Sequence, residues 1–92
     1  MRFHHKAKLH GKYVVEMVLF EIPKSNRYPL GMKYRLICVD EKSGDRALMD
    51  NHHPKGPHVH LDDRELHYDF VNDEKLFDDF EQLVLDHMGV KL

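Results

Sequence analysis

The amino-acid sequence predicts an α+β domain in which an antiparallel β-meander of about five strands packs against a C-terminal helix. Three observations support this fold class. Short segments with two-residue alternation follow one another between residues 12 and 70, turn residues separate them, and one amphipathic helical pattern comes last. Since 92 residues build one core, residues 1–92 are expected to form a single domain.

The first predicted strands are rich in β-branched and aromatic residues. Residues 12–22 are apolar on both faces, which is typical of a strand inside a sheet, and Pro23 ends the segment. After an exposed connection, residues 33–40 form a second strand, with Lys33 and Arg35 on the same face. A turn at residues 41–45 and a short strand at residues 46–50 complete a hairpin.

The histidine-rich segment from Asp50 to Tyr68 predicts a loop followed by a second hairpin. Residues 51–57 contain two prolines and a glycine, which do not suit a regular ladder. Residues 58–61 and 65–70 alternate between polar and apolar around an Asp62-Asp63 turn. The register that keeps the apolar residues on one face pairs Val59 with Leu66, His58 with His67, and His60 with Glu65. Three histidines and a carboxylate then share the other face.

The last segment predicts an amphipathic helix that covers one face of the sheet. Asn72 is a suitable N-cap, Asp73 and Glu74 suit the first turn, and Gly89 follows the last apolar position. The apolar residues at helical spacing are Leu76, Phe77, Phe80, Leu83, Val84 and Met88.

Composition excludes several classes of protein. No apolar run is long enough to span a membrane, and the basic start of the chain lacks the apolar stretch of a secretory signal, so we expect a cytoplasmic protein. Cys38 is the only cysteine, which excludes an internal disulfide. Residues 1–60 carry 11 Lys/Arg and 6 Asp/Glu, whereas residues 61–92 carry 3 and 10. The basic part suits phosphates and the acidic part a basic partner, while a core this small also suits a homodimer or a bound partner.

Five of the nine histidines fall within the sixteen residues 52–67 and predict acid–base chemistry. Imidazole exchanges protons near neutral pH, so two histidines can cleave an RNA phosphodiester through its 2′-hydroxyl without a metal or other cofactor. The candidate catalytic residues are His58, His60, His67, Lys55 and Tyr68. The candidate substrate-binding residues are Lys33, Arg35, Arg46 and Asn51.

Other interpretations of the same residues stay open. His58, His60 and His67 are a plausible set of ligands for zinc or another transition metal. The histidines are also compatible with a solvated hairpin face on a partner-binding module that has no enzymatic activity. Asp50 and Asn51 suit a turn that bonds its own backbone, or an acceptor that orients a histidine.

The order of these features resembles the TumE-like family of small prokaryotic toxins. The resemblance rests on Glu16-Met17-Val18, Ile22-Pro23, Lys33-Tyr34-Arg35-Leu36, Asp50-Asn51, Lys55-Gly56-Pro57-His58-Val59-His60, Tyr68-Asp69-Phe70 and Asp79-Phe80. The segment His52-His53-Pro54 departs from the family pattern, which has a glycine before the lysine. The resemblance implies a toxin of a toxin–antitoxin system, neutralised by a helix-turn-helix DNA-binding antitoxin, and RNA cleavage is a common mode of action for small toxins of this kind.

Overall fold

The computed structural model describes residues 2–92, which form six strands and one helix. The elements are β1 (Arg2–Leu9), β2 (Tyr13–Glu21), β3 (Met32–Asp40), β4 (Arg46–Asp50), β5 (His58–Leu61), β6 (Arg64–His67) and α1 (Asp73–Met88). Every neighbouring pair of strands is antiparallel, and the order across the sheet is the order along the chain. The predicted α+β meander with a C-terminal helix is confirmed, with six strands in place of about five.

The additional strand is β1, at the edge of the sheet beside β2. Arg2, Lys6 and Lys8 alternate with apolar residues along it, but a histidine, His5, interrupts the apolar set and weakens the two-residue pattern. The interior position predicted for β2 is therefore confirmed, since β1 and β3 flank it.

The last predicted strand is shorter than expected, because β6 ends at His67 and not at Phe70. The Tyr68 N–H donates to the carbonyl of Pro57 (3.2 Å), which lies in the loop before β5. This bond continues the β5–β6 register by one pair, but Pro57 has no N–H to donate in return, so the ladder ends there. The alternation at residues 68–70 is thus part of the connection to α1.

The helix covers one face of the sheet, which we call the covered face. The buried helix residues Leu76, Phe80 and Val84 pack on it. The buried strand residues there are Val15, Leu19, Tyr34, Leu36, Cys38, Ala47, Met49, Val59 and Leu61. The opposite face, the open face, contains the alternating partners of these residues, including Glu16, Arg35, Leu48 and His60.

Both ends of α1 match the prediction. The Asn72 side chain accepts a hydrogen bond from the Lys75 N–H, and Gly89, at φ 71°, donates its N–H to the carbonyl of Leu85. At 16 residues, this amphipathic helix falls short of a membrane-spanning segment, and no helix in residues 2–92 is both long and apolar enough to be one.

Candidate functional site

The second hairpin has the register that was predicted from its polar and apolar residues. His58 pairs with His67, Val59 with Leu66, and His60 with Glu65. Because directly opposed residues of an antiparallel pair share a face, the three histidines and Glu65 lie on the open face. Val59 points to the core and is buried there.

A carboxylate from β4 joins this hairpin. The β4–β5 register places Asp50 opposite His58, and its Oδ1 lies 2.9 Å from the His58 Nε2. The same Nε2 lies 2.8 Å from the Nε2 of His60, with the two rings nearly perpendicular. We call these three residues the Asp50–His58–His60 cluster. Asp50 thus contacts a histidine, and its Oδ1 also accepts from the His52 N–H at 3.3 Å, so it has both roles that the sequence left open for it.

The loop before β5 holds the His58 ring in place. The His58 Nδ1 lies 2.6 Å from the carbonyl oxygen of Gly56. Gly56 has a φ of 71°, a left-handed conformation that favours glycine, and its N–H donates to the carbonyl of His52. Since the His58 side chain is only 7% exposed, its orientation is set by the protein and not by solvent.

Hydrogen-bonding capacity defines what the two histidines can do. A carbonyl only accepts, so the His58 Nδ1 must carry the hydrogen. Its Nε2 lies within hydrogen-bond distance of both Asp50 Oδ1 and His60 Nε2. His60 is half-buried and keeps a nitrogen that can accept or release a proton.

One side of the cluster opens to a depression of about 330 Å³ lined by Lys55, His58, Glu65 and His67. The Lys55 Nζ lies 2.7 Å from Glu65 Oε2. This hydrogen bond is the main cause of a lowered pKa for the Glu65 carboxyl, and charges on His60 and His58 act in the same direction. Lysine, carboxylate and imidazole groups therefore meet at one exposed surface.

The other side opens to a depression of about 310 Å³ whose lining includes Lys33, Arg35, Asp50 and His52. Arg35 is exposed and directly opposite Asp50 in the β3–β4 register. Three of the four predicted substrate-binding residues, Lys33, Arg35 and Asn51, thus line this depression. The fourth, Arg46, lies four residues from Asp50 at the other end of β4, about 13 Å away by the rise of a strand.

The side chain of Asn51, which was predicted to bind substrate, is hydrogen-bonded to the backbone of β3. It is buried, its Oδ1 accepts from the Tyr34 N–H (3.0 Å), and its Nδ2 donates to the carbonyl of Met32 (2.8 Å). The side chain thereby continues the β3–β4 ladder beyond Asp50. Its amide groups are already bonded within the protein.

Tyr68, predicted to be catalytic, lies toward the helix. Its hydroxyl donates to Asp79 Oδ2 at 2.6 Å, and burial together with this bond raises the pKa of the phenol. Tyr68 also lines a cavity of about 500 Å³, together with Tyr28, Phe70 and His67. The ring, not the hydroxyl, is therefore available to a ligand.

His67 lies at the rim of the site. It is 72% exposed, its Nε2 lies 2.9 Å from Asp69 Oδ1, and it lines both the aromatic cavity and the Lys55 depression. Among residues 2–92, the only group of three or more potential metal ligands is the Asp50–His58–His60 cluster. His67 stays outside the set of atoms that could hold one ion.

Gly56 is the contact of His58 that was absent from the predicted site, and Asp50 was predicted only as a residue that could orient an unspecified histidine. Their roles depend on the β4–β5 register and on the fold of the seven-residue loop between these strands. The length of that loop does not determine which residue faces His58. The alternation of β4, which puts Asp50 on the same face as Arg46, was the available signal.

Comparisons with known proteins identify the family. A family model described as Toxin TumE matches residues 2–88, which is nearly the whole chain and confirms the predicted resemblance. The comparison with curated proteins finds no match, and the comparison with solved structures also finds none. A toxin family of this kind implies an antitoxin partner. The chain belongs to the TumE family of toxins.

Proposed function

We propose that this toxin cleaves RNA, with His60 and His67 exchanging the protons and His58 positioning His60. The observation that carries the proposal is the pair of histidine Nε2 atoms 2.8 Å apart on a sheet face that the helix leaves open. The proposed reaction needs no metal ion or other cofactor.

The separation of His60 and His67 supports these roles. Cleavage through a 2′-hydroxyl is an in-line displacement, so the base and the acid approach the phosphorus from opposite sides. His60 and His67 are diagonal neighbours across the β5–β6 ladder, and the Cα atoms of such positions lie about 7–8 Å apart. Two imidazoles that extend from backbone positions at this spacing can contact the two sides of one phosphodiester.

The reaction transfers two protons and exchanges one bond at phosphorus. One imidazole removes the 2′-hydroxyl proton, the 2′-oxygen bonds to phosphorus, and the bond to the 5′-oxygen breaks. The other imidazole protonates the departing 5′-oxygen, which leaves a 2′,3′-cyclic phosphate and a 5′-hydroxyl. Lys55 and Arg35, on the two sides of the cluster, stabilise the charge that develops on the phosphoryl oxygens.

The charge of the open face supports binding of a polyanion. The cationic residues that share this face are Lys6, Lys8, Lys33, Arg35 and Arg46. The aromatic cavity beside His67 supports stacking of a base on Tyr28, Tyr68 or Phe70. RNA would therefore lie along the open face, with one base in the cavity and the adjacent phosphate at the histidines.

Cleavage by purified variants tests the catalytic roles. We expect His60→Ala and His67→Ala each to lower the cleavage rate by about 100-fold or more, because each variant removes one proton transfer. His5→Ala is the matched control, since His5 is an exposed histidine on β1 that alternation places on the covered face. A substrate with a 2′-deoxy sugar at the scissile position should resist cleavage, and a chelator should leave the rate unchanged. If His60→Ala and His67→Ala cleave RNA and inhibit growth as strongly as the parent, the proposed roles are wrong.

The salt dependence of RNA binding tests the phosphate contacts. For Lys33→Gln with Arg35→Gln, we expect weaker binding and a smaller slope of log affinity against log salt, by about 0.7 per lost contact with a single strand. Lys91→Gln is the control, because Lys91 is exposed beyond α1. Equal slopes for the double variant and the parent would exclude these two residues as phosphate contacts.

We also propose that the antitoxin is a helix-turn-helix DNA-binding protein that contacts the outer surface of α1. The acidic residues of this helix are Asp73, Glu74, Asp78, Asp79, Glu81 and Asp86. DNA-binding domains are basic, so the charges are complementary. Reversal of Asp78 and Glu81 to lysine should weaken rescue of growth by the co-expressed antitoxin without lowering toxicity. Full rescue of this variant would contradict the proposed surface.

A further inference from the structure

We propose that the Asp50–His58–His60 cluster binds a divalent transition-metal ion such as Zn²⁺, and that the bound ion inhibits the protein. The inhibition rests on the proposed RNA cleavage, whereas the binding site rests on geometry alone. The ligands would be one carboxylate oxygen of Asp50 and the Nε2 atoms of His58 and His60. Asp50 thus replaces His67, which the sequence suggested as the third ligand.

The donor atoms already converge. One ligand atom from each of the three residues lies within 4.8 Å of the other two. The His58 Nε2 is central, at 2.9 Å from Asp50 Oδ1 and 2.8 Å from His60 Nε2. Ligand atoms about 2.0–2.1 Å from a tetrahedral zinc ion lie about 3.3 Å apart, so separations about half an ångström larger would admit the ion. Small rotations of the side chains supply this change.

The chemistry of the donors suits zinc and its neighbours in the first transition series. Two imidazoles and a carboxylate form a common set of three protein ligands, with a fourth position left for water. The His58 and Asp50 side chains are mostly buried, which removes competing solvent from the site. His60 is half-buried and leaves an approach for the ion.

A contact outside the ligand set favours this arrangement. Metal-binding histidines usually donate their second ring hydrogen to a carbonyl or carboxylate, which fixes the ring. The His58 Nδ1 makes this contact with the Gly56 carbonyl at 2.6 Å. Its Nε2 therefore faces a carboxylate and a second imidazole, an arrangement that requires a hydrogen or a metal ion between the three atoms.

Occupancy by a metal would stop the proposed proton transfer. A metal bound to the His60 Nε2 would keep the ring hydrogen on Nδ1, so this imidazole would have no free lone pair to accept the proton from RNA. It would also hold His58 and Asp50 in the same complex, so that His60 could not turn toward the substrate. His67, outside the cluster, would stay free.

Direct titration of the untagged, metal-free protein tests the site without RNA. We expect one equivalent of Zn²⁺ to bind by calorimetry, and Co²⁺ to give the visible absorption of a tetrahedral complex at the same stoichiometry. His60→Ala and Asp50→Asn should each weaken binding at least about 10-fold. His67→Ala and His5→Ala are the matched controls and should bind like the parent.

Folding and activity are measured on the same samples. Circular dichroism and thermal unfolding show whether each variant is folded, and His60→Ala, at a half-buried position, keeps the test valid if Asp50→Asn unfolds. A loss of binding in His67→Ala, or retained binding in His60→Ala, would overturn the ligand assignment. Zn²⁺ that binds at the cluster without slowing cleavage would overturn the inhibition. A metal-free protein that leaves RNA intact would overturn the proposed function, while the binding result would still decide the site.

Discussion

The two faces of the sheet differ in what their residues contact. The covered face is closed by Leu76, Phe80 and Val84 of the helix, and each of these side chains is fully buried. The open face contains lysines, arginines, three histidines and two carboxylates of the site. Since strand residues alternate between faces, the same short strands supply both the core and the candidate site. We therefore expect substitutions on the covered face to lower the stability of the protein, and substitutions at adjacent residues on the open face to lower its activity.

The open face has its own apolar floor beneath the histidines. Ile37 and Leu48 pair with each other across β3 and β4, and Leu48 also pairs with His60. Ile37 is 9% exposed and Leu48 is 8% exposed, although the helix does not cover them. These two apolar side chains reduce the access of water to one side of His60, which strengthens electrostatic interactions there.

The largest expected effect is at the centre of the covered face. Phe80→Ala should destabilise the protein by about 3–5 kcal/mol, because it leaves a cavity where a fully buried ring packs on the sheet. Urea denaturation measures this loss. Phe20→Ala is the matched control on the open face, where Phe20 is only partly buried, and it should cost less. Equal losses for both variants would contradict the division between the faces.

A second effect tests the structural position of Asn51 at the end of β4. Asn51→Ala removes the partners of the Tyr34 N–H and the Met32 carbonyl, and each buried polar group left unpaired costs about 1–3 kcal/mol. We therefore expect a clear fall in the urea midpoint. Asn26→Ala, at an exposed loop position, should leave it nearly unchanged. If Asn51→Ala is as stable as the parent but binds RNA poorly, Asn51 contacts substrate as the sequence predicted.

The third effect, smaller still, is a pH-dependent contact between the helix and the connection before it. The hydrogen bond from Tyr68, helped by Lys75, lowers the pKa of the Asp79 carboxyl below its ordinary value of 3.8. A lowered folded-state pKa stabilises the protein fully above pH 3.8, and this contribution is lost as the pH falls through the folded-state pKa. Asp79→Asn should cost about 1 kcal/mol at neutral pH.

The stability of Asp79→Asn should approach that of the parent at low pH, because the parent then protonates Asp79. Denaturation midpoints at several pH values from neutral to acidic measure this convergence. Asp78→Asn is the matched control, because Asp78 is adjacent to Asp79 but exposed. Its denaturation midpoint should equal that of the parent at every pH. A constant difference between Asp79→Asn and the parent at all pH values would contradict a role for the ionised carboxyl.

The fold was predictable from the sequence where the local pattern of polar and apolar residues matched the periodicity of only one type of element, either a helix or a strand. Capping residues predicted both ends of the helix, at Asn72 and Gly89. Alternation of polar and apolar residues predicted the β5–β6 register. β1 was missed because His5 breaks the alternation in a segment that otherwise reads as basic surface. β6 was predicted to be too long because alternation continues through Tyr68, whereas Pro57, which lies opposite Tyr68, has no N–H to continue the ladder.

The candidate site was predictable only within one hairpin. The shared face of His58, His60, Glu65 and His67 follows from the pairing of β5 with β6. Contacts made across longer separations did not follow, since the partner of His58 on β4 depends on how the loop of residues 51–57 folds. Asn51 shows the same limit, because an amide that completes a ladder and an amide that binds a ligand have the same sequence signature.

The smallest expected effect concerns Tyr34 on the covered face, in comparison with Tyr68 in the connection before α1. The Tyr34 hydroxyl is buried, has no hydrogen-bond partner among residues 2–92, and burial raises the pKa of this phenol. Tyr34→Phe removes an unsatisfied polar atom while its ring stays stacked on Phe70, so stability should stay within about 0.5 kcal/mol of the parent or rise. Tyr68→Phe, which loses the bond to Asp79, should cost about 1 kcal/mol. Thermal unfolding of both variants side by side measures the contrast, and an equal loss in Tyr34→Phe would show that its hydroxyl has a partner, such as a bound water molecule, that stabilises the core.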